Sequence, residues 1–420
     1  MSRPLLLALL IIPLFSIGQQ TDTTQEESFR PVFFGGPNQP EVRRKLDRSA
    51  TEAILDVNFL RPVSSIKDTV YDKVGLMWDL DYTVGFYSGN QRIGLNNASS
   101  GAFRFYGYWD LVRRKPGNIG GMVYKIEHRH KYSSIPPSDL ADSVGYVGVI
   151  NPDLDNSKFR LQNFYWRQRL LKSRLFFTIG FLDAPDFIDP YYFPDPFTHF
   201  SNDHFGAGAS AITIPNGGYL GISASFWTTK WLYLSAGFGD LNANPKNAFK
   251  GFKSFFQQHQ YFKYIEIGAS SSKKFLYQEN AHITFWHADK SDYLMTPAGW
   301  GLVASLSTLL RNKWAPFLRG AYSNKAGTLL SGSVSMGFGY RHTDGGHLLG
   351  LAGAWGRPNP HTYQNEVIVH RNQYLIEAFY RIQITGKLAF TPDFQLIFNP
   401  ALNQNQDFIF VGGMRLRIAL

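Results

Sequence analysis

The sequence predicts an all-β fold: a transmembrane antiparallel β-barrel of about 16 strands, with 18 as the alternative, preceded by a short N-terminal amphipathic helix. Three observations predict this fold. Long segments alternate apolar and polar side chains with the period of two that a strand requires. Many of these segments run for about ten residues or more, the length that a tilted strand needs to cross a bilayer. The chain also begins with a stretch typical of a secretion signal.

The composition is compatible with one large barrel. The chain has 420 residues and 39 Gly, and a barrel accommodates such a length by adding strands. After residue 20 no apolar run approaches about 18 residues, so we expect no membrane-spanning helix. The absence of Cys excludes disulfides, thiolate metal sites and a lipoprotein anchor. A net charge of +10 would suit a nucleic-acid-binding protein, but export argues against nucleic acid as a partner.

Residues 1–18 are predicted to be a signal peptide. Arg3 precedes an apolar run from Leu5 to Phe15, and small residues follow near residue 18. Export followed by long amphipathic strands predicts the outer membrane of a diderm, Gram-negative bacterium, reached after signal-peptide cleavage.

Residues 19–73 are predicted to be a flexible N-terminal arm that contains the amphipathic helix, at about residues 38–58. Apolar residues recur there at helical spacing, with charged residues between them. These apolar residues are Val42, Leu46, Ala50, Ile54 and Val57. Two interpretations stay open: a periplasmic arm packed under the barrel, or a plug that enters the lumen.

Residues 74–420 are predicted to form the barrel. The expected strands cover residues 74–87, 100–113, 119–131, 158–171, 174–183, 206–214, 217–227, 231–239, 261–271, 279–287, 299–310, 314–323, 331–341, 347–355, 371–385, 387–398 and 408–419. These are about 17 segments, whereas bacterial single-chain barrels have an even number of strands. Segment 206–214 is short and rich in Gly and Ala. We therefore interpret residues 184–215 as one external segment, which leaves 16 strands; a hidden strand near residues 249–256 would instead give 18.

The last three strands show the alternation most clearly. Lipid-facing positions are expected at Tyr374, Tyr380, Phe390, Phe394 and Phe410. Glu377, Asp393 and Arg415 occupy the opposite face and should point into the lumen. The reverse register is unfavourable, because a lipid-facing arginine near the midplane costs about 2–4 kcal/mol.

Polar residues on the inner strand faces are the candidates for the solute path. They are Arg104, Lys125, Glu127, Arg129, Glu377, Arg381, Asp393, Gln395, Arg415 and Arg417. Arg415 and Arg417 are expected to add to a positive inner field, with Asp79 or Asp81 of the first strand as possible partners, since barrel closure brings these strands together.

Residues 184–215 are the candidate constriction. This long segment combines aromatic and acidic residues with four prolines that stiffen it, and long ordered loops are usually functional. Its candidate residues are Asp186, Asp189, Tyr191, Tyr192, Phe193 and Asp195. We expect the segment to lie inside the barrel or across its mouth.

Several motifs resemble one known family. Residues 391–400 (TPDFQLIFNP) and 412–417 (GGMRLR) are similar to the C-terminal signature of the carbohydrate-selective porins of the OprB type. Residues 162–168 (QNFYWRQ) and 180–183 (GFLD) resemble the mid-barrel segment of that family. The resemblance covers about residues 75–420. One departure is the final Leu420, where barrels of this type usually end on an aromatic residue.

The candidate residues suit a sugar. Guanidinium and carboxylate groups bond vicinal hydroxyls in pairs, and aromatic faces cover the C–H faces of a pyranose. The residues alone fit a generally charged lumen equally well. The resemblance implies a passive diffusion channel that prefers mono- or oligosaccharides; a general or anion-preferring porin is the alternative, and an outer-membrane hydrolase is a third.

No catalytic residues are expected, because no Gly-x-Ser-x-Gly pattern occurs. No cofactor and no metal are expected either. The expected partners are sugars, membrane lipids and lipopolysaccharide, and the barrel-assembly machinery. The expected oligomeric state is a homo-trimer or a monomer.

Overall fold

The computed structural model describes residues 34–48, 53–55, 61–90, 94–115, 118–342 and 346–420. Sixteen antiparallel strands form a closed barrel in which each strand pairs with its chain neighbours and the first pairs with the last. The predicted all-β barrel of 16 strands is therefore confirmed, and the alternative of 18 is wrong. The predicted signal peptide, residues 1–18, lies outside the described residues.

The strands follow the predicted spans closely. They are β1 (Leu76–Gly89), β2 (Asn97–Lys115), β3 (Asn118–Lys131), β4 (Lys158–Leu170), β5 (Leu175–Leu182), β6 (Tyr219–Trp227), β7 (Leu232–Asp240), β8 (Tyr261–Ser270), β9 (Asn280–Ala288), β10 (Gly299–Ser307), β11 (Trp314–Lys325), β12 (Leu330–Arg341), β13 (Leu348–Pro358), β14 (Gln373–Gln383), β15 (Leu388–Phe398) and β16 (Phe408–Ala419). The α-helices among the described residues are α1 (Pro40–Arg48), α2 (Arg61–Val74), α3 (Leu140–Val144) and α4 (Lys250–Lys253). Within the described part of the chain, no helix has the length and apolar character needed to cross a membrane.

The inner and outer faces of the last strands are as predicted. Tyr374, Tyr380, Phe394 and Phe410 are exposed on the outside of the barrel, and Phe390 is half-buried. Glu377, Asp393 and Arg415 are buried on the inside. This register follows from strand alternation, because a shift by one residue would turn every charged side chain toward lipid.

The barrel closes where β1 meets β16. Thr83 lies opposite Arg417 and Gly85 lies opposite Arg415. The start of β1 and the end of β16 therefore lie at the same rim, which is the periplasmic rim in barrels of this kind. The loops after odd-numbered strands then lie at the extracellular rim, and the turns after even-numbered strands lie at the periplasmic rim.

The N-terminal helix is shorter than predicted. α1 ends at Arg48, and residues 53–55 form a bend within the span predicted as helix, 38–58. The backbone N–H groups of Ile54 and Leu55 donate to the carbonyls of Gln383 and Ile384, at 3.1 and 2.8 Å. Because these N–H groups pair with the end of β14, they are not available for a continuous helix. The helix α2, which leads directly into the barrel, was not predicted.

The segment between β5 and β6, residues 183–218, folds into the barrel; we call it the inward loop. It contains short 3₁₀ turns at Ala184–Asp186, Asp203–Phe205 and Ala207–Ser210, and no wall strand covers residues 206–214. Most of its side chains are buried. The interpretation of this region as one long segment inside the barrel is therefore confirmed.

A second loop, residues 132–157 between β3 and β4, also folds inward. Leu140, Val144, Tyr146 and Ile150 are buried with the aromatic residues of the inward loop in one apolar cluster. The Tyr146 hydroxyl donates to Asn202 Oδ1 at 3.3 Å, which links the two loops. This inward position was not predicted, because the sequence indicated only an external loop there.

Candidate functional site

The inward loop is held against the half of the barrel formed by β8–β16. Asp189 is one anchor: it accepts hydrogen bonds from the Arg319 guanidinium on β11 and from the Gly208 N–H, the latter at 2.6 Å. His282 Nε2 on β9 lies 2.8 Å from the same carboxylate. These side chains are buried, so the ion pairs are shielded from water. One acidic residue thus joins the loop to two strands.

The C-terminal strands hold the next part of the inward loop. The Glu377 carboxylate accepts the backbone N–H groups of Ser201 and Asn202, at 2.5 and 3.0 Å. Asn202 Nδ2 donates to Gln395 Oε1 at 3.0 Å. Arg415 donates to the Pro196 carbonyl and, at 3.0 Å, to Asp393. Four residues predicted to line the path therefore have contacts that position the loop: Glu377, Asp393, Gln395 and Arg415.

Aromatic side chains of the inward loop fill the same half of the lumen. The Phe193 ring lies 5.4 Å from Phe200 and 5.5 Å from Phe317 of β11. Tyr192 lies 4.6 Å from Phe193, and the Arg319 guanidinium is 4.0 Å above the Tyr191 ring. The candidates Tyr191, Tyr192 and Phe193 therefore narrow the lumen by forming a packed core.

The opposite inner surface, on β2–β4, carries cations; we call it the basic wall. Arg104 forms a bidentate pair with Asp81, at 2.7 and 2.6 Å. Lys125 lies 3.1 Å from Asp183 and 3.6 Å from Asp186. Each of these cations has an acidic partner, so the wall presents paired charges.

The upper part of the basic wall continues this pattern toward the extracellular rim. Arg129 lies 2.6 Å from Glu127 and 3.1 Å from Asp153 and from Asp155. Arg160 on β4 lies 3.6 Å from Asp155. The predicted residues Lys125, Glu127 and Arg129 are thus brought together on one surface with the acids of two loops.

A cavity of about 290 Å³ lies between the basic wall and the inward loop, beside the contact of Lys125 with Asp183. Its charged lining residues are Arg43, Arg104, Lys125, Arg129 and Arg160, together with Glu127, Asp153, Asp155, Asp183 and Asp203. The five cations and five acids among the described lining residues balance each other. The cavity also reaches Phe200, Ser201 and Asn202 of the inward loop. It is the candidate solute path at the extracellular side.

Helix α1 lies on the periplasmic side of this cavity, within the barrel. Arg43 is 5% exposed and lies 2.9 Å from Asp195 of the inward loop. Glu41 lies 3.2 Å from Arg167 of β4, and Asp47 accepts two bonds from Arg417 of β16, at 2.7 and 2.8 Å. These contacts span the lumen from β4 to β16, which favours the plug over the periplasmic arm.

The arginines of β16 differ from the expectation in one respect. Arg417 binds Asp81 at 2.6 Å, as predicted, but also binds Asp47 of α1. Asp79 instead binds Lys67 of α2 at 2.7 Å. Buried acids thus pair with both Arg415 and Arg417, and the positive inner field expected from these two residues stays a prediction.

The periplasmic side has a much smaller cavity, of about 30 Å³. Arg43, Asp195, Arg381 and Arg417 contribute to its lining. Arg381 donates to the Gly346 carbonyl at 3.1 and 2.8 Å, near the periplasmic turn between β12 and β13. Arg381 therefore lies apart from the basic wall, close to the exit.

Sequence reasoning missed several residues of this site. Arg160 and Gln162 lie on the inner face of β4 and line the larger cavity. The alternation of Arg160 and Gln162 with outward-facing residues could have indicated that they point into the lumen. Arg43 lies within the span predicted as the amphipathic helix, but no local pattern indicated that its partner would be Asp195.

A closed 16-stranded barrel whose lumen is narrowed by an inward-folded loop is the architecture of a porin. The family model described as carbohydrate-selective porin, OprB family, matches residues 269–420. This match confirms the OprB-type resemblance predicted from the C-terminal motifs.

Solved structures give the same fold. The chain is similar to Pseudomonas putida OprB at high pH, with a TM-score of 0.65 and 15% identity, covering 85% of this chain and 97% of that chain. For the low-pH structure of the same protein the TM-score is 0.51 and the identity is 12%, covering 89% of this chain and 99% of that chain. For a mutant porin of Rh. blastica the TM-score is 0.50 and the identity is 10%, covering 82% of this chain and 100% of that chain. No curated protein matches the chain in sequence.

Proposed function

We propose that the protein is a passive outer-membrane channel that favours neutral carbohydrates. The observation that carries this proposal is the balanced lining of the larger cavity, with five cations and five acids among the described residues. A neutral solute with many hydroxyl groups can bond to both kinds of group, whereas a charged solute is attracted by one kind and repelled by the other.

The pairing within the protein also suits passage. Arg104 is already bound to Asp81, and Arg129 to Glu127. A sugar hydroxyl therefore competes with existing ion pairs, and each contact gains little free energy. Weak contacts are what a channel requires, because a solute that binds must also leave.

The alternative of an anion-preferring porin is supported less well by the structure. The net charge of +10 gave rise to that alternative, but the positive excess does not lie along the described lining of the larger cavity. The porin fold and the family match point to a channel and give no support to a hydrolase.

The decisive experiment is conductance of the refolded protein in planar bilayers, titrated with a panel of sugars. We expect graded block by neutral mono- and oligosaccharides and a reversal potential close to zero in a salt gradient. A strong anion preference without sugar block would favour the alternative. Hydrolytic activity of a protein without conductance would contradict the channel.

We further propose that residues 1–18 are removed on export and that the barrel-assembly machinery inserts the mature chain. The apolar run ahead of residue 18 supports cleavage there. N-terminal sequencing of the protein from purified outer membranes should give a start shortly after residue 18. An intact N-terminus in that fraction would contradict cleavage.

A further inference from the structure

The loop between β7 and β8, residues 241–260, has an unusual composition for an extracellular loop. It contains Lys246, Lys250 and Lys253, and four phenylalanines, but no Asp or Glu. Its centre is the short helix α4, which continues into a π-helical turn at Ser254–Gln258. We call this segment the basic aromatic loop.

The basic aromatic loop packs on the outside of the barrel. The rings of Phe249 and Phe252 lie 5.8 and 5.5 Å from Phe181, near the extracellular end of β5. Phe255 lies 5.6 Å from Phe238, near the same end of β7. Phe181 and Phe238 alternate with inward-facing residues and so belong to the lipid-facing surface. The loop therefore lies at the level where the outer leaflet meets the extracellular solution.

Hydrogen bonds fix the loop in this position. Ser254 Oγ donates to Asp240 Oδ1 at 2.6 Å, and Asn242 Nδ2 donates to Gln258 Oε1 at 2.7 Å. Gly251 is buried, and a Cβ at this position would lie 3.6 Å from Leu220. Close packing of the helix on the barrel wall and these bonds hold the loop in place.

The outer surface of the loop combines apolar and cationic groups. Phe249 is 73% exposed, Phe252 46% and Phe256 64%. Lys246, Lys250 and Lys253 are exposed, and no ion pair involves them within the described part of the chain.

The acids at the neighbouring rim have their own cations. Asp289 lies 2.9 Å from Lys263, and Asp292 lies 2.8 Å from Lys290. The three lysines of the basic aromatic loop therefore stand beside exposed aromatic rings with their charge available to a ligand.

We propose that the basic aromatic loop binds the phosphate-bearing head group of an outer-leaflet glycolipid. Aromatic girdles mark the interfaces of outer-membrane barrels, where rings enter the boundary between acyl chains and head groups. Clustered lysines at the same level attract anionic lipid phosphates. The inference rests on the outer-membrane placement in the proposed function, but not on the solute that passes.

The test is a titration of the detergent-solubilised full-length protein with bisphosphorylated lipid A, followed by native mass spectrometry. The variant K246Q/K250Q/K253Q should bind lipid A about tenfold more weakly than the unmodified protein, since each lysine contributes to attraction at the membrane surface. The matched control is K172Q/K230Q/K313Q, which removes three exposed lysines from periplasmic turns. The control should bind lipid A as the unmodified protein does.

Three outcomes would overturn the inference: equal weakening in both triple variants, equally tight binding of fully dephosphorylated lipid A, or no weakening in either variant. A change of oligomeric state in K246Q/K250Q/K253Q, measured by analytical ultracentrifugation, would instead assign this surface to a second copy of the chain. Conductance and sugar block should be unaltered in both variants. A failure of the sugar-channel proposal therefore remains distinguishable from a failure of this one.

Discussion

Asp189 illustrates how one side chain can determine the shape of the lumen. Its backbone has a φ of 54°, a left-handed conformation that non-glycine residues rarely adopt. The strain is compatible with its contacts, because the carboxylate binds Arg319, His282 and the Gly208 N–H. The inward loop is thereby fixed at the point where it turns toward β9 and β11.

Replacing this anchor should destabilise the barrel. Asp189→Ala leaves Arg319 and His282 buried without their shared acid, and breaking a buried ion pair in this way costs about 3–5 kcal/mol. The measurement is urea unfolding of the protein refolded in lipid vesicles. Asp292→Ala is the control, because the Asp292 side chain is 68% exposed and its ion pair with Lys290 is screened by water. Equal unfolding midpoints for the two variants would contradict this role of Asp189.

We expect Asp186 to make the solute path depend on pH. Burial raises the pKa of this loop carboxyl to about 6, although the nearby Lys125 opposes the shift. With a pKa of about 6, Asp186 is ionised at pH 7.5 and mostly protonated at pH 5. On protonation Asp186 loses its negative charge, while Lys125 keeps its contact with Asp183, at 3.1 Å. The net charge beside the basic wall therefore rises by one.

We therefore expect anion selectivity to rise as the pH falls from 7.5 to 5, measured as the reversal potential in a potassium chloride gradient. Burial also raises the pKa of Asp153 and Asp203, and loss of either negative charge would act in the same direction. The diagnostic is the difference between the unmodified protein and Asp186→Asn. The variant should start more anion-selective at pH 7.5 and change less on acidification; identical curves would contradict the role of Asp186.

At the scale of elements, the lumen is divided between two halves of the barrel. Most bonds of the inward loop go to strands β8, β9, β11, β12, β14, β15 and β16. Its first residues, Asp183 and Asp186, bond to β3 and β4 instead. The basic wall on β2–β4 faces the cavity that remains. Helix α1 connects the halves beneath the loop, through Arg167 on one side and Arg417 on the other.

Loosening α1 should widen the path. Arg43→Ala/Asp47→Ala removes the ion pairs to Asp195 and Arg417, so the helix loses its hold on both the loop and the wall. We expect a several-fold increase in single-channel conductance, since the helix occupies the periplasmic half of the lumen. Lys290→Ala/Asp292→Ala is the control, because it removes one cation and one acid from an exposed pair. Unchanged conductance in the α1 variant would show that the helix does not limit the flow.

The sequence predicted the elements better than their contacts. Period-two alternation identifies a strand and its inner face, so the 16 strands and the inward direction of Glu377 and Arg415 could be predicted. Alternation does not specify which distant element an inward side chain meets. The bonds from Glu377 to Ser201 and from Arg415 to Pro196 depend on the path of a loop that has no period. The second inward loop and the length of α1 were missed for the same reason, because tertiary contacts decide them.

At the scale of the whole molecule, the two ends of the lumen are unequal. A cavity of about 290 Å³ lies beneath the extracellular loops, whereas the cavity near the periplasmic turns is about 30 Å³. The difference follows from where the elements enter. The inward loop and the second loop descend from the extracellular rim, and α1 occupies the periplasmic side.

This inequality predicts a direction-dependent block by sugars. A sugar added at the extracellular side reaches the balanced cavity directly, whereas one added at the periplasmic side must first pass α1. We therefore expect half-maximal block at a lower sugar concentration from the extracellular side, through a higher association rate. Because the chain has no Cys, a single Lys230→Cys replacement at a periplasmic turn allows thiol labelling to establish the orientation of each inserted channel.

The Arg43→Ala/Asp47→Ala variant should reduce the difference in sugar block between the two sides by speeding entry from the periplasmic side. Equal block from both sides of the unmodified channel would show that α1 presents no barrier to the solute, and a difference that persists in the variant would place the barrier elsewhere along the path.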